Sequence, residues 1–168
     1  MRVAVLTISD AGARGERADG SGDAIAAWAK ARGATLAARD IVPDDTVAIV
    51  SRLIEWCDDD IADLLLTTGG TGLAPRDVTP EATCAVVERM APGIAERLRI
   101  ACIESFPRAA LSRGVAGVRH GTLIVNLPGS PGGVRDALAA LQPIVDHACA
   151  ILRGEPTDHG GGVLGGAG

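Results

Sequence analysis

The chain has no tyrosine, one phenylalanine, two tryptophans and a single lysine, Lys30. Without stacking aromatics or a basic cluster, and with a net charge of −5, it lacks the means by which proteins hold nucleic acid, so no nucleic-acid partner is expected. No apolar run approaches the ~20 residues that cross a bilayer. The opening stretch MRVAVLTISD is about one strand long, with no small-residue cleavage site after it, so no signal peptide is expected and the reading is cytoplasmic. The four cysteines (Cys57, Cys84, Cys102, Cys149) include no CxxC pair, and the three histidines (His120, His147, His159) show no metal-ligand spacing. A structural zinc site is not expected; Cys84, Cys102 and Cys149 fall on apolar sides of predicted helices and read as small buried hydrophobes. A Walker loop is excluded because no GK[ST] follows the glycines. With one lysine, any phosphate must be met by arginine, backbone amides or a metal ion.

What is present suits one soluble domain: 168 residues, 47% hydrophobic and 22% charged, enough to bury a core. Strands are predicted at 2–8, 34–42 and 61–68. VAVLTI and IADLLLTT are continuously apolar, as in strands covered on both faces. Helices are predicted at 22–32 and 46–57, the second with Val47, Val50, Leu53, Ile54 and Cys57 on one face. Thr79-Pro80-Glu81 reads as a helix start with Thr79 as N-cap, running to about Met90. A further helix is expected at 94–104, and a hairpin of VAGV and TLIVNL around Arg119-His120-Gly121 with glycine in the turn. The last helix spans about 133–153, with Val134, Leu138, Leu141, Val145, Ala148 and Leu152 inward, a kink at Pro143 and a stop at Gly154. This order predicts a three-layer α/β/α sandwich, its sheet mostly parallel with one antiparallel strand from the hairpin. The domain is expected to span 1–154. Residues 155–168, ending HGGGVLGGAG, are expected to be a disordered tail.

Ligands of open α/β sheets bind beyond the carboxyl ends of the strands. Four segments there stand out: Ser9–Gly22, Val42–Asp45, Gly69–Thr79 and Pro128–Gly133. Gly69, Gly70 and Gly72 allow a sharp turn whose amides, with the following helix N-terminus, suit phosphate oxygens. Asp77 reads either as helix-dipole compensation or as a ligand. Asp44 and Asp45 read either as turn and N-cap residues or as acids for the site. Carboxylates on two loops beside glycine-rich turns suit Mg²⁺, which takes one or two carboxylates plus substrate phosphates. Arg76 is a candidate phosphate contact. Pro128-Gly129-Ser130-Pro131-Gly132-Gly133 reads equally as a tight strand-to-helix connection or as a second anion or nucleobase cradle.

TTGGTG followed by PRDVTPEAT, then SRGVAGVRHGTLIVNLPGSPGGVRDAL, closely resembles the molybdopterin adenylyltransferases, the MogA/MoaB group to which the gephyrin N-terminal domain also belongs. LTISD and VPDD match in order, so the resemblance covers about residues 1–154. It implies an enzyme that transfers AMP from Mg-ATP to the phosphate of molybdopterin, releasing pyrophosphate. It further implies Asp44 and Asp77 as the functional acids, with Gly69, Gly70, Thr71, Gly72, Pro128, Gly129 and Ser130 lining the substrate pocket; Arg76 and Thr79 in the same segment are further candidate contacts, and Asp44 and Asp77 the candidate Mg²⁺ ligands. Ser9 and Asp10 match in the first loop, whereas Ala13 and Arg14 stand where relatives often carry serine. A homotrimer is implied, with hexamers also known in the family. The alternative reading is a non-catalytic pterin-binding or scaffolding paralogue. Retention of both acids favours the enzyme, and the full RDVTPEAT and LPGSPGG pair argues against a CinA-type nucleotide hydrolase.

Overall fold

A computed structural model describes residues 1–104 and 106–156; most of the glycine-rich tail, 157–168, lies outside the described residues. In chain order the elements are β1 (Arg2–Ile8), a short α1 (Asp10–Ala13), α2 (Gly20–Ala31), β2 (Thr35–Val42), α3 (Thr46–Asp58), β3 (Leu64–Thr68), α4 (Thr79–Val86), β4 (Arg89–Met90), α5 (Pro92–Ile103), a 3₁₀ turn (Pro107–Leu111), β5 (Ala116–Arg119), β6 (Thr122–Leu127) and α6 (Pro131–Leu152). The strands form one sheet in the order β2-β1-β3-β6-β5-β4. β2, β1, β3 and β6 pair in parallel, and β5 runs antiparallel to both of its neighbours. The predicted sandwich with one antiparallel hairpin strand is the fold observed.

The continuous apolar runs are explained by helices on both faces. Along β1, Val3 and Val5 join the core under α2, α5 and α6, while Ala4, Leu6 and Ile8 join the core under α3 and α4. Leu64 and Leu66 divide from Leu65 in the same way along β3. Burying each such side chain contributes roughly 1.5–3 kcal/mol, so these central strands anchor the domain. β1 sends its connection through α2 to β2 on one side, and the chain returns through α3 to β3 on the other. Right-handed crossovers in opposite directions place α2 and α3 on opposite faces and leave a crevice at the carboxyl ends of β1 and β3.

Several boundaries differ from expectation, for local reasons. β3 begins at Leu64 rather than 61, because Asp60 (φ 50°) and the Ile61 amide, bonded to Trp56 O at 3.0 Å, complete the turn out of α3. α4 ends at Val86: Val87 is extended, and Arg89 and Met90 leave the helix to pair with Val118 and Gly117. Thr79 is not the N-cap of α4; Val78 holds that position and Thr79 lies inside the helix with its hydroxyl buried. Val47 is 72% exposed, since the inward face of α3 is centred on Ile49, Leu53, Trp56 and Cys57. Cys84 is exposed because α4 turns Thr79, Pro80, Ala82, Thr83 and Val86 inward. In the hairpin turn the left-handed residue is His120 (φ 49°), whose amide donates to Glu88 at 3.0 Å. α6 is continuous past Pro143, and Gly154 (φ 68°) is the expected stop just beyond its C-cap, Arg153. No helix among the described residues is long and apolar enough to cross a membrane.

One buried polar cluster ties the sheet to α4. The Asn126 amide donates to the hydroxyls of Thr67 and Thr83, each at 2.9 Å, and its oxygen accepts the Val115 amide at 3.1 Å. Leucine there would strand the Val115 amide. Asn126→Leu is therefore expected to destabilise the fold by about 1–3 kcal/mol, read as a lower urea midpoint at unchanged slope. An unchanged midpoint would show that the cluster adds nothing.

Candidate functional site

The site is built on a backbone crossing that only glycine permits. Gly69 (φ 102°) and Gly70 (φ 61°) turn the chain off β3, and a Cβ on Gly69 would sit 2.2 Å from the Ile8 carbonyl oxygen. The fully buried Thr79 hydroxyl donates to Gly69 O at 2.9 Å and the Thr79 amide to Gly70 O at 3.1 Å, so the first turn of α4 holds the loop from beneath. On the other side, the Thr68 hydroxyl donates to Pro128 O at 2.6 Å. A Cβ on Gly129 would reach within 3.2 Å of Gly69 Cα. The two glycine-bearing loops therefore meet main chain to main chain.

The acids sort themselves by role. Asp45 is the N-cap of α3, accepting from the Ala48 amide at 2.9 Å. Asp44 is instead clasped to Asp10: its Oδ2 accepts the Asp10 amide at 2.8 Å, and Asp10 Oδ1 accepts the Asp44 amide at 3.1 Å. Arg76 spans this clasp, 2.6 Å from Asp10 Oδ2 and 3.2 Å from Asp44 O. Asp44 Oδ1 faces Gly70, where a Cβ would lie 3.3 Å away. Asp77 Oδ2 accepts the Ala74 amide at 2.8 Å and lies 2.8 Å from a Cβ built on Gly72. One acid thus flanks each end of Gly70-Thr71-Gly72. Both anchor one oxygen on a backbone amide, and among the described residues neither Oδ1 has a hydrogen-bond donor.

Two cavities open at this rim. A cleft of about 710 Å³ is bordered by Gly70, Thr71, Gly72, Asp77, Pro128, Gly129 and Ser130, and extends between α5, the 3₁₀ turn and α6 over Leu98, Ala109 and Ala137. A smaller chamber of about 370 Å³ is bordered by Ser9, Asp19, Asp44, Gly69 and Gly129. Gly129 walls both, so the four segments converge around two spaces that share one wall. Asp10, Arg76 and Thr79 border neither cavity; they brace the loops that do. The Ser9 and Ser130 hydroxyls cap α1 and α6, accepting from Gly12 at 3.1 Å and Gly133 at 3.2 Å.

Several residues at the rim were not anticipated from the sequence. Arg99 and Arg108 border the cleft and Arg17 the chamber, so each cavity has at least one arginine in its wall. Arg99 also donates to Gly114 O at 2.8 Å, and Arg108 lies over the Phe106 ring at 5.2 Å. Asp19 caps α2 through the Gly22 amide at 2.8 Å and accepts from Thr7 at 2.9 Å and Arg39 at 2.7 Å. Burial pushes its carboxyl up, but these bonds, Arg39 foremost, outweigh that and hold it below the ordinary carboxylate range. Arg113 donates through Nε to Gly72 O at 2.7 Å and through Nη2 to Asp77 O, and pairs with Glu81. The contacts of Arg99, Arg113 and the Asp19–Arg39 pair join segments 15 to 41 residues apart, so no sequence spacing marks them.

A sequence profile described as "Probable molybdopterin binding domain" matches residues 4–147. The chain belongs to this family. The molybdopterin adenylyltransferase of Helicobacter pylori (strain ATCC 700392 / 26695) is 38% identical over 115 residues, covering 68% of this chain and 65% of that protein. The chain therefore spans about two thirds of that relative's length. The Escherichia coli (strain K12) molybdopterin adenylyltransferase is 38% identical over 145 residues, 84% of this chain and 74% of that one. The solved structure of the molybdopterin biosynthesis enzyme MoaB from Thermus thermophilus is 50% identical, covers 92% of this chain and 98% of its own, and superposes with a TM-score of 0.87.

The crossing at Gly69 gives a direct stability test. Gly69→Ala combines left-handed strain with a clash against Ile8 O and should cost on the order of 3–5 kcal/mol. Gly15→Ala places alanine in the ordinary left-handed well (φ 71°) with open space around it, and should cost only about 1–2 kcal/mol. Equal losses in urea unfolding would contradict the close crossing.

Proposed function

We propose that this chain is a molybdopterin adenylyltransferase acting in molybdenum-cofactor biosynthesis. A phosphate oxygen of molybdopterin attacks the α-phosphorus of ATP, the bond between the α-phosphorus and the bridging oxygen breaks, and pyrophosphate leaves with that oxygen. The observation that carries this reading is the pair of cavities sharing the Gly129 wall, with Asp44 on one and Asp77 on the other. Transfer between two bound substrates needs two spaces that meet where the reacting atoms meet, and holding both there removes much of the entropic barrier. The loops at the junction offer backbone amides and the cavity walls offer Arg17, Arg99 and Arg108 for phosphate charge. No protein nucleophile is required, because positioning and charge neutralisation dominate such reactions.

The donor set fits a magnesium ion. Asp44 and Asp77 each present one oxygen free of hydrogen-bond donors, and Mg²⁺ takes one or two carboxylates, completing its shell with water and substrate phosphate. No group of three or more His, Cys, Asp or Glu side chains able to hold a metal occurs among the described residues. An ion held by these two acids would therefore rely on the substrate's oxygens. When bound, it would neutralise phosphate charge. The amide bonds to Oδ2 of each acid fix the direction in which Oδ1 points. The homotrimer and the cytoplasmic location belong to the same proposal.

Asp77→Asn and Asp44→Asn test it. Asparagine keeps a carbonyl oxygen for the Ala74 or Asp10 amide, so stability should change by only about 0.3–1 kcal/mol. Each variant should still bind pterin but lose turnover by ~10²–10³-fold, and chelation should abolish activity in the unaltered protein. Activity that merely tracked stability, or full turnover after chelation, would return both acids to a structural role. Pterin binding without turnover in the unaltered protein would favour the non-catalytic paralogue.

A further inference from the structure

Arg113 stands just before β5, yet its bonds all go to the loop after β3 and the helix that follows. Its amide donates to Thr71 O at 2.8 Å, its Nε to Gly72 O at 2.7 Å and its Nη2 to Asp77 O, while Nη1 pairs with Glu81 on α4. One residue therefore bonds to both arms of the loop, at 71–72 and at 77. Between those arms the excursion Leu73-Ala74-Pro75-Arg76 is exposed. Asp77 closes it through two bonds to Ala74: its own amide donates to Ala74 O at 2.9 Å, and its Oδ2 accepts the Ala74 amide at 2.8 Å.

We propose that Arg113 is a positioning residue for adenylyl transfer: by gripping Gly72 O and Asp77 O together it sets the Asp77 carboxylate against the Gly70-Thr71-Gly72 turn. This rests on the transfer reading above. The geometry calls for arginine in particular. Three donors on one planar, rigid fork span two carbonyls and a carboxylate at once, whereas lysine offers a single flexible ammonium. Glu81 in turn orients the fork from the exposed side of α4. Because Arg113 touches main-chain oxygens at 72 and 77, its influence on chemistry passes through where Asp77 stands, not through a charge of its own on the substrate.

The test is a mutant cycle between Arg113→Lys and Asp77→Asn, with Glu81→Gln as a milder probe. Arg113→Lys should lower kcat about 10- to 100-fold, the usual cost of losing a group that orients a catalytic or metal-binding side chain. KM for both substrates should stay within a few-fold, and the Mg²⁺ concentration giving half-maximal rate should rise. On the Asp77→Asn background the same change should cost almost nothing more, since there is no carboxylate left to position. Glu81→Gln should show the same pattern more weakly, and it decides the matter if Arg113→Lys does not fold. Independently of activity, amide exchange at Ala74 should accelerate in Arg113→Lys while amides of the central strand β3 stay protected. Full activity in Arg113→Lys, an undiminished loss on the Asp77→Asn background, or unchanged exchange at Ala74 would overturn the proposal. An unaltered protein that transfers no AMP would refute the transfer reading instead, leaving the exchange measurement to judge the contact itself.

Discussion

The structure of the rim depends on the absence of a side chain at residue 69. The Ile8 carbonyl, at the end of β1, lies 2.2 Å from where a Cβ on Gly69 would be, so the turn after β3 can cross the end of the neighbouring strand only as bare backbone. That crossing brings the loop against Gly129 on its other side and creates the shared wall between the two cavities. A substituent at 69 would push the loop outward, carrying Asp77 with it and shifting the turn away from Asp44, which is held on a separate loop by Asp10. The requirement is local and steric, but its consequence is the spacing of everything at the carboxyl edge of the sheet.

Polar groups inside the fold serve the same end. Thr79 gives its hydroxyl to Gly69 O, Thr83 gives its own to Thr79 O at 2.8 Å, and Asn126 links Thr83 to Thr67 on β3. A continuous set of buried hydrogen bonds thus runs from β6 through α4 to the turn. Each bond is worth only about 0.5–1.5 kcal/mol net, but an unmet partner costs more, so such a set specifies one arrangement. Arg113 applies the same logic from outside, to both arms of the loop.

Much of this was legible in the sequence where one physical cause dominated. Helices on both faces made β1 and β3 continuously apolar, and glycine runs marked the turns that need bare backbone. The family motifs carried Asp44 and Asp77, and the structure set both against the glycine turn. What was not legible depends on contacts across the chain. Asp44 and Asp45 are adjacent and chemically identical, yet one caps α3 and the other clasps Asp10, 34 residues earlier. Thr79 looked like an N-cap because a hydroxyl before Pro-Glu commonly is one; a buried acceptor at Gly69 competed for it and won. β4 is two residues long and exists only because β5 offers an edge. Arg113 lies within the SRGVAGV motif, but its neighbours say nothing of side-chain partners 32 to 41 residues earlier.

In the proposed reaction the two cavities hold two substrates whose phosphates meet at the Gly69–Gly129 junction. The most direct measurement is to incubate the protein with molybdopterin and Mg-ATP labelled at the α-phosphate, and to follow both the label and the released phosphate. Label should move onto the pterin with equimolar release of pyrophosphate. Label that stays in the nucleotide while the pterin binds, or release of the γ-phosphate as orthophosphate, would contradict it.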